Sequence, residues 1–96
     1  LFGGTYALFS ETLKRFKIST KFFDVDELEN TKNAITDKTK IIFLESVGNP
    51  NMRLPDIKAV ADIANSAEVA LIVDNTITPL SISPISLGAD IVVYST

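Results

Sequence analysis

The sequence predicts an α/β fold built on a parallel sheet. Ile41-Ile42-Phe43-Leu44, Val69-Ala70-Leu71-Ile72-Val73 and Asp90-Ile91-Val92-Val93-Tyr94 are runs of strand length, and each leads into polar residues. A stretch with helical spacing separates the first two, and a proline-broken connection leads to the third. Strands and helices alternating at this spacing form right-handed βαβ units, and such units make parallel sheets. No repeat, low-complexity tract or linker interrupts residues 1–96, which read as part of a single domain with no internal boundary.

Each element follows from local pattern. Between Thr5 and Phe16 the apolar residues Tyr6, Leu8, Phe9, Leu13 and Phe16 recur at three- and four-residue steps, the mark of an amphipathic helix. Ile18-Ser19-Thr20-Lys21-Phe22-Phe23 is β-rich and ends at Asp24-Val25-Asp26, whose carboxylates can cap a helix over Glu27 to Ile35 with Leu28, Ala34 and Ile35 inward. The run from Lys40 to Leu44 lacks alternation, as expected of a strand covered on both faces. A polar turn follows, Glu45-Ser46-Val47-Gly48-Asn49-Pro50. Pro55-Asp56 opens a helix carrying Ile57, Val60, Ala61 and Ala64 on one face and closing near Asn65-Ser66. The strand ending at Val73 runs into Asp74-Asn75-Thr76, and Pro79 and Pro84 break the chain after it. Ser86-Leu87-Gly88 reads as a short helix stopped by glycine before the last strand.

Composition narrows the function. The 96 residues are 46% hydrophobic and 22% charged, the balance of a packed globular chain and not of a disordered one. A formal net charge of -3 with no basic block argues against nucleic acid or an anionic membrane as partner. No apolar run approaches the roughly 20 residues of a membrane helix. With no cysteine and no histidine, disulfides, Cys/His zinc sites and Ser-His or Cys-His nucleophiles are excluded. The chain opens on Leu1-Phe2-Gly3-Gly4 and stops at Ser95-Thr96 just after an apolar run, so both ends read as cut from something larger.

Open parallel sheets bind ligands beyond the carboxyl ends of their strands. Three polar tips lie there: Glu45-Ser46 with Asn49, Asp74-Asn75-Thr76, and Ser95-Thr96. An aspartate in the place of Asp74 can hold a cationic nitrogen, coordinate a metal, act as a base or cap a turn. Asn49, between Gly48 and Pro50, also suits a plain turn. Ser95 suits either a phosphate or the cap of a following helix.

Taken in order, Leu1-Phe2-Gly3-Gly4-Thr5-Tyr6, Glu45-Ser46-Val47-Gly48-Asn49-Pro50, Val73-Asp74-Asn75-Thr76 and Gly88-Ala89-Asp90-Ile91-Val92-Val93-Tyr94-Ser95-Thr96 resemble the cysteine and methionine metabolism family of pyridoxal-phosphate enzymes. That family includes cystathionine synthases and lyases, methionine γ-lyase and O-acetylhomoserine sulfhydrylase. The resemblance implies part of the large, mainly parallel-sheet cofactor-binding domain of an aspartate-aminotransferase-like (fold type I) enzyme, with pyridoxal 5'-phosphate as cofactor. It implies that Asp74 pairs with the pyridine nitrogen, Asn49 with the ring's phenolic oxygen and Ser95 with the phosphate, and that Thr76 is the threonine beside the aspartate. The family's Schiff-base lysine would fall just beyond Thr96, so the chain alone would be inactive. Phe2 stands where the family usually has tyrosine, which keeps ring stacking and loses a hydroxyl. Val47 stands where proline is frequent.

The implied reaction is α-proton loss from an amino acid followed by elimination or replacement at the γ or β carbon. Residues 45–50 and 73–79 resemble the sulfhydrylase and γ-lyase branch of the family, which implies γ-replacement on an activated homoserine, with methionine γ-lyase and cystathionine lyase or synthase as alternatives. A cytoplasmic homotetramer with a small-molecule amino acid substrate is the implied setting. Phe2 and the cut ends motivate a different reading, a non-catalytic α/β module or degenerate paralogue.

Overall fold

The computed structural model describes residues 3–47 and 55–95. Three strands, β1 (Ile41–Glu45), β2 (Ala70–Asp74) and β3 (Ile91–Val93), form one parallel sheet in the order β1-β2-β3. Ile41 pairs with Ala70 through to Glu45 with Asp74, and Ile72, Val73 and Asp74 pair with Ile91, Val92 and Val93. This register brings all three carboxyl ends to one edge. Beyond β1 the ladder is extended by Ser46 N donating to Asp74 O at 2.9 Å, and beyond β2 by Asn75 N donating to Val93 O at 2.9 Å. At the opposite end, Asp90 N donates to Leu71 O at 2.9 Å and Asp90 Oδ2 accepts from Leu71 N at 2.8 Å, so a side chain completes the ladder where β3 begins.

The helix α4 (Ile57–Ser66) covers one face of the sheet. Asp56 caps it by accepting from Ala59 N at 3.0 Å, and Ile57, Val60, Ala61 and Ala64 are buried, the face read from the sequence. They pack with Ile42, Leu44, Leu71 and Val73, while Phe23, Val25, Ile35, Ile82 and Val92 close the margin of this core. Burial along β1 and β2 alternates: 42, 44, 71 and 73 are buried, whereas Phe43, Ala70, Ile72 and Asp74 are only half-buried. Full coverage of both faces, the expectation from the unalternated runs, is therefore not what the described residues show. The second face is met by the N-terminal helix, where Phe9 sets its ring edge against Phe43 with centroids 5.1 Å apart.

That N-terminal helix begins at Gly3 and has three parts: α1 (Gly3–Ala7), a π-helical turn over Leu8–Thr12 and α2 (Leu13–Arg15). The Ser10 hydroxyl donates to Tyr6 O at 2.8 Å, occupying a carbonyl of the preceding turn, and Leu13 N reaches Leu8 O. The third helix, α3 (Leu28–Ala34), is shorter than expected and has no side-chain cap; the Asp24 carboxylate instead accepts from Asp26 N at 3.0 Å in a local turn. Its one buried residue is Thr31, and Leu28, expected inward, is exposed.

Two more expectations are corrected. Residues 18–23 join no strand ladder: intrinsic β preference needs a partner strand, and none of the described strands takes this segment. Residues 84–88 form a turn and not a helix, closed by Leu87 N to Pro84 O at 3.1 Å and Ala89 N to Pro84 O at 3.0 Å. Gly88 sits in that turn at φ 111°, as its role as a stop required.

Both longer helical segments end in Schellman motifs without glycine. Lys17 (φ 63°) and Glu68 (φ 57°) occupy the left-handed position, with Ile18 N bonded to Leu13 O at 3.1 Å and Val69 N to Ala64 O at 2.9 Å. A β-carbon in this region costs about 1–2 kcal/mol. Glu68→Gly is therefore expected to raise the stability of the full-length protein by about 0.5–1 kcal/mol, read as a higher denaturant midpoint at constant slope.

Candidate functional site at the carboxyl edge of the sheet

β2 delivers Asp74 to the half-covered face, beside Glu45 in the register of β1 and Val93 in that of β3. Its carboxylate is held on one oxygen. Thr76 N donates to Asp74 Oδ1 at 3.0 Å and Thr76 Oγ1 donates to the same atom at 2.5 Å, the length of a charge-assisted bond. Capping of the turn, one of the roles open to this aspartate, is thus realised by Oδ1. Neither bond involves Oδ2, which remains able to accept from a ligand.

Thr76 also joins two strand tips. Its Oγ1 accepts from Ser95 N at 2.8 Å while donating to Asp74, giving a directional chain from the backbone after β3 through one hydroxyl to the carboxylate that ends β2. Asp74, Thr76 and Ser95, three residues singled out in the sequence, are brought together. They line a cleft of about 380 Å³ between the sheet edge and the N-terminal helix, with Gly4, Thr5, Leu8, Glu45, Val47 and Ile77. The Asp74 carboxylate on its wall favours a cationic group there. Asn49 and Phe2, the other two predicted site residues, lie outside the described residues.

Beneath the cleft lies a polar cluster that sequence reasoning missed. Asn75 is 0% exposed and Ser46 1% exposed. Asn75 Nδ2 donates to Ile82 O at 2.9 Å and faces the Tyr94 hydroxyl at 3.4 Å, Thr78 Oγ1 donates to Asn75 Oδ1 at 2.8 Å, and Ser46 Oγ lies 2.9 Å from Thr78 Oγ1. A carbonyl can only accept, so the amide nitrogen must face Ile82 and its oxygen must face Thr78. Thr78 then has its single proton committed, and Ser46 is the donor in the outer bond. A signal was available: Ser46 continues the parity of Ile42 and Leu44, and Asn75 that of Leu71 and Val73, so the buried face extends one step past each strand.

A wider concavity of about 600 Å³ at the other end of the sheet is lined by residues that include Asp62, Asn65, Glu68 and Asp90. No strand tip converges on it. Among the described residues no group of histidine, cysteine and carboxylate side chains is arranged to hold a metal, and no helix is long and apolar enough to cross a membrane.

A parallel α/β sheet with a carboxylate and hydroxyl groups gathered at its carboxyl edge defines a cofactor- or nucleotide-binding class of domain. Comparison with known proteins makes the class specific. The family model for Cys/Met metabolism PLP-dependent enzymes matches residues 1–96, and the chain belongs to that family. It is 42% identical over 96 residues to a cystathionine gamma-lyase of Dictyostelium discoideum, covering 99% of this chain and 25% of that protein. Over 97 residues it is 43% identical to a homocysteine synthase of Schizosaccharomyces pombe, and over 98 residues 45% identical to an L-methionine gamma-lyase of Treponema denticola. Those matches cover 99% of this chain and 23% and 24% of the two relatives, so the chain spans about a quarter of their length. Among solved structures, a protein of Campylobacter jejuni assigned as an O-acetylhomoserine (thiol)-lyase and carrying a pyridoxyl-lysine phosphate superposes with a TM-score of 0.95 at 40% identity, covering 99% of this chain and 24% of that one. The O-acetylhomoserine sulfhydrylase of Wolinella succinogenes superposes at 0.91 with 36% identity, over 98% of this chain and 27% of its own.

Proposed function

We propose that the full-length protein is a pyridoxal-phosphate-dependent enzyme of sulfur amino acid metabolism that replaces or eliminates a group on the side chain of its amino acid substrate, with γ-replacement on O-acetylhomoserine as the preferred reaction. The observation that carries this reading is the cleft in which the Asp74 carboxylate, oriented by Thr76, and Ser95 meet.

The donor set suits the cofactor. Asp74 Oδ2 is available to accept from a protonated ring nitrogen, because both internal donors fall on Oδ1. The Ser95 side chain is exposed on the same cleft and can donate to a phosphate oxygen. When bound, pyridoxal phosphate supplies the conjugated ring that takes up the electrons released by α-proton loss. The work of the chain's own residues is electrostatic and positional. Asp74 keeps the proton on the ring nitrogen, and Thr76 keeps the carboxylate in the rotamer that faces the cleft. Ser95 would anchor the phosphate end, and by the family resemblance Asn49 would hold the phenolic oxygen. By the family resemblance Phe2 would stack on the ring without a hydroxyl, which either reassigns the proton transfer to another residue or makes this a slower member of the family. Leu8, Val47 and Ile77 give the cleft its apolar wall.

The preference for γ-replacement rests on the likeness of the sequences at 45–50 and 73–79 to the sulfhydrylase and γ-lyase branch, and the two solved structures described above carry that activity in their names. Methionine elimination is the second reading, supported by the 45% identity to the Treponema enzyme. A cytoplasmic homotetramer belongs to the same proposal. The deciding assay supplies the full-length protein with O-acetylhomoserine and sulfide, with methionine, or with cystathionine, and measures thiol product, α-keto acid and ammonia. Homocysteine formed from O-acetylhomoserine is the expected result. Methionine cleavage without sulfhydrylation would replace it with the lyase reading, and a protein that takes up no pyridoxal phosphate would overturn both.

A further inference from the structure

We infer that Asn75 and Thr78 form a buried clamp that positions the cofactor site, acting through Thr76 on the Asp74 carboxylate; the inference rests on the proposed pairing of Asp74 with the ring nitrogen. Asn75 reaches all three strand tips. Its backbone N–H holds Val93 O at the end of β3, its Oδ1 is linked through Thr78 to Ser46 after β1, and it directly follows Asp74. The side chain also closes the connection that carries Thr76. Thr78 Oγ1 bonds to it three residues on, and Ile82 O seven residues on, so residues 76–82 begin and return at one amide.

Thr76 lies inside that closed loop, and its N–H and hydroxyl fix Asp74 Oδ1. The loop's conformation therefore sets which carboxylate oxygen faces the cleft. Asn75 and Thr78 touch neither cofactor nor substrate in this arrangement and are positioning residues. The unique donor order, Ser46 to Thr78 to Asn75 to Ile82, gives the clamp one low-energy arrangement, because any reversal sets an acceptor against an acceptor or a donor against a donor.

The test uses the full-length holoenzyme and isosteric changes. Thr78→Val removes the hydroxyl and leaves the buried Asn75 Oδ1 and Ser46 Oγ without their partner. Thr78→Ser keeps the hydroxyl. The dissociation constant for pyridoxal phosphate, measured by titrating cofactor-stripped protein, is expected to rise about tenfold in Thr78→Val, as part of the cost of two lost buried hydrogen bonds reaches the cofactor site. The visible band of the bound cofactor is expected to shift, and Thr78→Ser should restore both readouts to within about twofold of wild type. Ser46→Ala, which removes only the outer donor, should weaken cofactor binding about threefold and carries the test if Thr78→Val does not fold. Unchanged affinity and spectrum in Thr78→Val, or in Ser46→Ala where that variant carries the test, would overturn the clamp. Equal losses in Thr78→Val and Thr78→Ser would do so as well. Asp74→Asn run in parallel separates the two ideas: an unaltered band there sinks the Asp74 reading itself, whatever Thr78 does.

Discussion

Replacing Asp74 by asparagine in the full-length protein is expected to lower kcat by on the order of 10²–10³ while leaving the unfolding midpoint almost unchanged. Asparagine keeps an oxygen for the Thr76 N–H and hydroxyl, and Asn is as competent as Asp in such turns, so the local fold survives. What is lost is the negative charge that retains a proton on the ring nitrogen. Asp74→Ala removes the turn acceptor as well and should add a stability loss of only about 1 kcal/mol. Steady-state kinetics normalised to bound cofactor, paired with denaturant melts, distinguish the contributions. An alanine variant that loses stability yet keeps full activity per folded molecule would assign Asp74 a structural role.

Gly88→Ala should show the opposite profile: a destabilisation of about 2–4 kcal/mol with little change in kcat per folded molecule. Gly88 has φ 111°, a conformation that L side chains rarely adopt, and an added β-carbon would lie 2.8 Å from Ala61 Cβ. Ala61 is buried on α4 and has no rotamer with which to withdraw, so relief requires the helix to move off the sheet. The pair can be examined by a double-mutant cycle with Ala61→Gly, which relieves the overlap at a helix-propensity cost of about 1 kcal/mol and leaves the φ strain in place. A coupling of zero would mean that the turn at 84–88, not the approach to α4, sets the cost. Gly88 lines the concavity at the far end of the sheet from the Asp74 cleft, which is why activity should be spared.

The sequence was legible where one physical rule dominated. The period of Ile57, Val60, Ala61 and Ala64 gave the buried face of α4, and the apolar runs gave the three strands and their parallel pairing. The convergence of Asp74, Thr76 and Ser95 followed from the rule that strand carboxyl ends share an edge. It failed where tertiary context decides. Residues 18–23 have strand-like composition, but composition cannot show whether a neighbour is available to pair. Residues 84–88 carry helix-stop chemistry, yet the interval from Pro84 to the glycine that stops it is too short to propagate a helix. Asn75 stands in the polar tip Asp74-Asn75-Thr76, where polarity hides parity. Its place in the core follows from counting by two from Leu71, and only the hydrogen bonds to Ile82 and Thr78 make that place tolerable. The π turn at Leu8–Thr12 left no mark in the apolar spacing, since the Ser10 bond to Tyr6 is one that serines make in ordinary helices too.

Among the described residues, β1 and β3 each pair on one side only, and Ile41 and Ile91 are about half exposed at their beginnings. Two open parallel edges with apolar flanks, on a sheet whose second face is half dressed, are templates for self-association in solution. Such a surface makes this stretch a poor subject for expression by itself: its recovery in soluble form would depend on whatever masks those edges, as a nascent chain depends on a chaperone until its neighbours emerge.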